Sequence, residues 1–244
     1  MRDALRHFFA EFIGTFALVL VGGGAIMLYR EGSGSLGTVA AAHGLILAVM
    51  ITATMRISGH FNPAVTAGFL VTRRIQPSFA LLYFVAQLVG AMAAAYMLKA
   101  VFPGELFTAT RGGGQSIALG ITFGQAFLIE LIATFFLVFV VFGSAVDPTA
   151  PKIGGFAIGL TVAADILAFG PLTGASMNPA RSFGPAVASG VFEGQGVYWT
   201  APFIGGILAA LLYDLLFLPR APELPGSGAV QPVKGKGVPR EHAV

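Results

Sequence analysis

Six stretches of the chain, at about 8–29, 36–55, 78–101, 122–143, 153–170 and 197–218, are apolar almost throughout. A bilayer core about 30 Å thick needs about 20 such residues per helix, so each is a candidate span. In lipid every backbone polar group must be satisfied internally, which leaves helices or closed barrels; runs of this length point to helices. Only 10% of the residues are charged, against about 25% in a soluble domain. That excludes an ordinary soluble protein, and most of the chain is too apolar for disorder. The absence of cysteine removes disulfides, iron–sulfur clusters, Cys-ligated zinc and thiol nucleophiles. A net charge of +3 on such a composition is not a nucleic-acid footprint. The 33 glycines suit closely packed membrane helices. The first span follows Arg2 and Arg6 as a signal peptide would, but more spans follow and no convincing cleavage site is present, so it is expected to remain.

Two segments, 63–73 and 179–189, are too short to span. Each begins with the same tripeptide, Asn62-Pro63-Ala64 and Asn178-Pro179-Ala180. Asparagine is a favoured helix cap and proline a favoured first helical residue, so both read as starts of half-length helices. They belong to an internal repeat. Residues 9–16 echo 128–135, the two tripeptides lie 116 residues apart, and Tyr83-Phe84-Val85-Ala86 echoes Tyr198-Trp199-Thr200-Ala201. Each half (about 7–105 and 120–218) holds three spans and one short helix. Three is odd, so the second half enters the membrane from the opposite side, an inverted repeat. The fold expected is an all-α membrane protein of six transmembrane helices plus two half-helices, one domain over 1–218. Residues 219–244, with five of the 14 prolines, read as a disordered tail. With both termini inside, ten Lys and Arg fall on the cytoplasmic side, and Arg30, Lys99 and Arg111 outside, in line with the positive-inside rule.

The short helices can meet tip to tip near the midplane. If each asparagine oxygen caps its own helix, the amide has two N–H donors to spare. Two such amides can donate to one water oxygen, which then accepts no further hydrogen bond and interrupts a proton relay. Two helix N-termini, each about half a positive charge, reinforce this and repel cations. A lone Asn-Pro is an ordinary helix start; two at matching places in an inverted repeat are a site. Arg181 follows the second tripeptide, and a charge in a membrane segment is a functional candidate unless an ion pair neutralises it. Glu11 and Glu130 occupy equivalent places. Acid–base work is one reading of them; the better one is that each accepts hydrogen bonds from the backbone of a half-helix loop. His43 is either a structural hydrogen-bonder or a pore group, and His60 braces its loop. Asp165 points about 100° away from Ile166 on a helix, and a buried partner is expected for it. No phosphate loop, HExxH pair, nucleophile elbow or Ser/His/Asp set is present. No metal site, cofactor or enzymatic activity is therefore expected.

The segments Ser58-Gly59-His60-Phe61-Asn62-Pro63-Ala64-Val65-Thr66 and Gly174-Ala175-Ser176-Met177-Asn178-Pro179-Ala180-Arg181-Ser182 resemble the signatures of the aquaporin, or major intrinsic protein, family. Glu11 and Glu130 match its helix signatures, and the resemblance covers 7–218. It implies a pore in each protomer and a homotetramer. It also implies an outer constriction formed by His43, Ile166, Ala175 and Arg181. Strict water channels usually have Phe at the first of these and His at the second. His first and Ile second is instead similar to plant tonoplast intrinsic proteins, several of which pass ammonia, urea or peroxide as well as water. Glycerol facilitators usually carry Asp where this chain has Ser182, and Ala186 with Tyr198-Trp199 resembles the water-channel branch. One small residue is missing between Ser58 and His60 relative to the family, so a tighter loop is expected.

The function implied is a passive channel for water and small neutral solutes (ammonia, hydrogen peroxide, urea or glycerol) that excludes protons and ions. Carbonyls of Gly59, His60, Phe61, Gly174, Ala175 and Ser176 would form one wall of the pore and apolar side chains the other. A glycerol or metalloid facilitator is the near alternative. A proton-coupled transporter is the more distant one, since inverted repeats and broken helices also occur there; its coupling acids would be Glu11, Glu130 or Asp165. The expected partners are the lipid bilayer and the solutes, and the expected location is the cell membrane.

Overall fold

The computed structural model describes residues 1–151 and 153–219. The expected tail thus lies outside the described residues, apart from Pro219. Among the described residues there is no strand. Six helices are long and apolar enough to cross a bilayer: α1 (Arg2–Glu31), α2 (Leu36–Thr54), α4 (Pro77–Val101), α6 (Phe123–Val141, continued by a π turn to Val146), α7 (Gly154–Thr173) and α9 (Gln195–Leu216). Two short helices, α3 (Pro63–Val71) and α8 (Pro179–Ser189), interrupt the series after α2 and after α7. A further short helix, α5 (Gly104–Ala109), and a 3-10 turn (Arg111–Gly113) lie in the connection between the halves.

Local chemistry sets these boundaries. The Ser35 and Thr122 hydroxyls cap α2 and α6 in reciprocal capping boxes with Thr38 and Gln125. Gly32 and Gly174 end α1 and α7 in the left-handed conformation. The fifth span continues to Thr173, three residues beyond the end of its apolar run, despite Pro171 inside it.

Packing repeats between the halves. In the first, α1 lies on α4; in the second, α6 lies on α9; α2 and α7 join the halves. Glycine decides how close these pairs come. A Cβ on Gly90 would lie 2.6 Å from the Phe12 carbonyl oxygen, and one on Gly205 would lie 2.2 Å from that of Leu131. These are equivalent contacts of α4 on α1 and of α9 on α6. With no hydrophobic drive between helices in lipid, such close backbone approach supplies the packing. Apolar side chains such as Leu45, Leu81, Leu128, Leu160 and Leu208 stand exposed on the outer surface, as suits a bundle that sits in a bilayer.

The start of α1 and the end of α9 lie on one face. His7 meets the Tyr83 hydroxyl early in α4, and Arg74, just before α4, pairs with Asp214 near the end of α9 at 2.6 Å. On the opposite face, Arg30 at the end of α1 meets the connection between the halves.

Candidate functional site

Each short helix starts at its proline, and the preceding asparagine caps it. Asn62 Oδ1 accepts the Ala64 N–H at 2.9 Å. Asn178 Oδ1 accepts those of Ala180 and Arg181 at 3.0 and 3.3 Å. With its oxygen fixed, each amide reaches into the other half. Asn62 Nδ2 donates to the Met177 carbonyl at 2.8 Å, and Asn178 Nδ2 donates to the Phe61 carbonyl at 2.8 Å. The expectation of two spare donors on each amide is corrected here: one N–H of each closes a crossed pair of bonds between the loops, and one remains.

The two carbonyls reach that position through strained backbone. Phe61 and Met177 have φ of 49° and 53°, in a region that costs a non-glycine residue about 1–3 kcal/mol. Buried carboxylates hold both turns. Glu11 accepts the N–H groups of His60 and Phe61 at 2.9 and 2.7 Å, the Ser58 hydroxyl, and Gln87 Nε2 at 2.7 Å. Glu130 accepts the N–H groups of Ser176 and Met177, both at 2.8 Å, and the Thr173 hydroxyl at 2.7 Å. Gln87, which no sequence motif singles out, also donates to the Thr66 hydroxyl at 3.0 Å, and that hydroxyl meets His60 Nδ1 at 3.0 Å.

Three spaces share lining residues in series. A mouth of about 280 Å³, bordered by Arg30, Ile166, Gly174 and Gln115, opens on the Arg30 face. Next to it, sharing Ile26 and Gln115, is a slit lined by His43, Gln115 and Arg181, which in this structure is too narrow to hold a water. Beyond lies a chamber of about 20 Å³ at the asparagines. Gly59, His60, Phe61 and Ser176 border one part of its wall; Leu18, Leu47, Leu137, Ile158 and Val162 are among its apolar lining. In the slit, Arg181 is 3% exposed, and no carboxylate pairs with it among the described residues. Its Nη1 donates to the carbonyls of Ala175 and Ser176 at 2.7 and 3.2 Å, and its Nη2 meets that of Gly174 at 3.4 Å. Three of the carbonyls expected to face solutes are thus engaged by Arg181, each keeping a second lone pair. His43 Nδ1 meets the Val39 carbonyl at 2.8 Å. A carbonyl only accepts, so the neutral ring carries its proton there and Nε2 is an acceptor. His43 Nε2, Gln115 Oε1 and Arg181 Nε are buried without partners.

The family model described as "Major intrinsic protein" matches residues 1–213. Aquaporin TIP2-1 of Arabidopsis thaliana is 41% identical over 237 residues, 93% of this chain and 93% of its own. Aquaporin TIP4-4 of Zea mays is 42% identical over 227 residues, 88% and 87% of the two chains. The chain belongs to the major intrinsic protein family, the aquaporins. The solved structure of the aquaglyceroporin from Plasmodium falciparum is similar, with a TM-score of 0.78 at 27% identity, covering 87% of this chain and 96% of that one. The protein is an integral, multi-pass channel of this family.

Two residues of this aquaporin-family chain depart from what the sequence suggests. No motif marks Gln115, yet it borders both mouth and slit at 8% exposure. The only sequence signal is the glycine run Gly112-Gly113-Gly114 before it, which permits a tight turn without saying where it goes. Asp165, for which a buried partner is expected, is 6% exposed, and its Oδ2 has no hydrogen-bond partner among the described residues. Asp165 also borders none of the three spaces.

Proposed function

We propose that this channel conducts water through the path between the two asparagines, and that its slit also admits small neutral solutes. The crossed bonds of Asn62 to Met177 and of Asn178 to Phe61 carry this reading. They fix both amides and leave one N–H on each to donate to a passing water. A water oxygen that accepts both turns its hydrogens away along the pore and takes no third donor, so a proton relay stops there. The N-termini of α3 and α8, starting at Pro63-Ala64 and Pro179-Ala180, add about half a positive charge each. A cation meets that field after a desolvation that costs several kcal/mol.

His43, Ile166, Ala175 and Arg181, joined by Gln115, form the selective constriction. Three buried groups on residues that line the slit lack partners, the acceptors His43 Nε2 and Gln115 Oε1 and the donor Arg181 Nε, and in this proposal a solute in transit satisfies them. Water, ammonia and urea each carry both donors and a lone pair and satisfy this set. Ile166 adds no polar group at the mouth, which favours a filter more permissive than that of a strict water channel. Carbonyls of Gly59, His60, Phe61, Gly174, Ala175 and Ser176 offer remaining lone pairs along one wall, and Glu11 and Glu130 hold the loops that carry them. Reconstituted protein tests this. Passage of water together with at least one of ammonia, urea, glycerol or peroxide supports it; passage of water alone contradicts the permissive filter. Glycerol permeability well above that of water would favour the facilitator reading, which the likeness to an aquaglyceroporin keeps in view.

The active form in this proposal is a homotetramer, as the family resemblance implies, and the native mass in detergent tests it. Both termini face the cytoplasm. The five basic residues Arg2, Arg6, Arg56, Arg73 and Arg74, against three on the other side, support that orientation.

A further inference from the structure

Gln115 sits in a segment with little secondary structure of its own, so something must hold it in the pore. The segment folds back onto α1. A Cβ on Gly113 would lie 2.4 Å from the Gly23 carbonyl oxygen, which leaves room for glycine alone. Further on, the Ala118 N–H donates to the Leu172 carbonyl at 2.9 Å, at the end of α7. Between these anchors one side chain spans the turn. Arg30 Nη1 donates to the Thr110 carbonyl at 2.8 Å, and its Nη2 donates to the Gly114 carbonyl at 3.1 Å and meets the Ser116 hydroxyl at 3.4 Å. Gly114 and Ser116 are the two neighbours of Gln115 in the chain. Gly174 completes the seat, since a Cβ there would lie 2.8 Å from Gln115 Cγ.

We propose that Arg30 is a positioning residue for selectivity: its guanidinium fork grips the backbone before Gln115 and the Ser116 hydroxyl after it, and thereby holds the Gln115 side chain against Arg181 and His43 in the slit. This rests on the reading above that Gln115 belongs to the constriction. A planar fork bonds two carbonyls and a hydroxyl at once, which a lysine ammonium on a flexible stem does not reproduce. Arg30 belongs to none of the ion pairs among the described residues. The grip therefore consists of hydrogen bonds to the segment itself.

The test is a double-mutant cycle in proteoliposomes, reading urea and glycerol permeability relative to water, with native mass and helix content checked for each variant. Gln115→Ala is expected to raise the solute-to-water ratio several-fold by removing a wall of the slit. Arg30→Ala is expected to raise it to a similar extent, because Gln115 leaves the slit. The double variant is expected to match Gln115→Ala, since Arg30 acts through that residue. A wild-type ratio for Arg30→Ala beside a raised one for Gln115→Ala would overturn the positioning role. So would an Arg30→Ala effect that persists in full on the Gln115→Ala background. A wild-type ratio for Gln115→Ala would instead remove Gln115 from the constriction, and the proposal with it. If Arg30→Ala fails to assemble, Arg30→Lys carries the test. It keeps the charge and loses the fork, so a ratio above wild type is expected and an unchanged ratio contradicts the role.

Discussion

The two pore loops solve the same problem with different means. In both, a buried glutamate accepts two consecutive N–H groups, the residue after the second of these is a capping asparagine, and the residue just before that asparagine is left-handed. From the side chain that bonds the glutamate to the asparagine, however, the first loop runs from Ser58 to Asn62 and the second from Thr173 to Asn178, one residue longer. The first has a single positive φ, at Phe61; the second has three, at Gly174, Ala175 and Met177. The extra turn brings three carbonyls within reach of Arg181. At the equivalent place in the first loop, 116 residues earlier, stands Val65. The matched features hold the asparagines; the unmatched ones build the slit. In the proposed channel the shared features serve conduction and the unshared ones serve selectivity.

The largest effects should come from the matched features. Glu130→Ala strands three buried donors and Glu11→Ala strands four. Each stranded donor costs about 1–3 kcal/mol. Both variants should lose thermal stability in detergent and water conduction, Glu11→Ala more than Glu130→Ala; a reversed order would mean that the donor set does not decide loop stability. Next in size is Arg181→Val, which makes the second loop like the first. It should keep water conduction, admit urea and glycerol faster and weaken cation exclusion; unchanged solute and ion passage would break the division drawn between the loops. Asn62→Asp and Asn178→Asp each remove one crossed bond and bring a carboxylate to the junction. Cation leak, measured as ionic conductance, should rise by similar amounts in the two, because the crossed bonds are alike; a leak in one alone would make the junction unequal.

The smallest effect is expected outside the membrane, where the connectors also differ. The turn from α1 to α2 uses Gly32 and Ser35. The connection from α6 to α7 uses Asp147, whose carboxylate accepts the Thr149 hydroxyl at 2.6 Å and its N–H at 2.8 Å. Those bonds, the hydroxyl's first, hold the carboxyl below its ordinary range. A lowered value in the folded state means the contribution is present above the unfolded carboxylate value of about 4 and is lost as pH falls through the folded one. Amide protection at 147–150, corrected for the intrinsic slowing of exchange in acid, should therefore fall as pH drops, while protection at 32–35 stays level. Equal behaviour of the two connectors would contradict this.

The sequence carried the fold almost whole, because apolar length and Asn-Pro caps are local signals. Helices begin at Pro63 and Pro179, and the six spans follow their apolar runs, with α1 starting at Arg2, six residues before its run. The site was legible as a set of residues and not as an arrangement. Nothing local shows that one amide N–H of each asparagine is taken by the opposite loop. Nothing local shows that Arg181 turns onto the carbonyls of its own loop, or that a glycine-rich connection returns Gln115 to the slit. Asp165 illustrates the opposite failure: an expected partner, inferred from the cost of burying a charge, is not found beside its Oδ2. The crossed amides and Gln115 are tertiary facts, set by groups that face one another from segments far apart in sequence, and the Arg181 contacts follow from the left-handed turns of its own loop, which residue types alone do not reveal.

The most direct measurement is stopped-flow light scattering on proteoliposomes carrying the wild type or Arg181→Val. A sucrose gradient reads shrinkage, and a urea or glycerol gradient reads re-entry. The structure predicts shrinkage much faster than in empty liposomes for both proteins, with faster solute re-entry for Arg181→Val. Shrinkage no faster than in empty liposomes would contradict a water pore at the asparagine junction. Equal re-entry for the two proteins would contradict a filter built on the second loop.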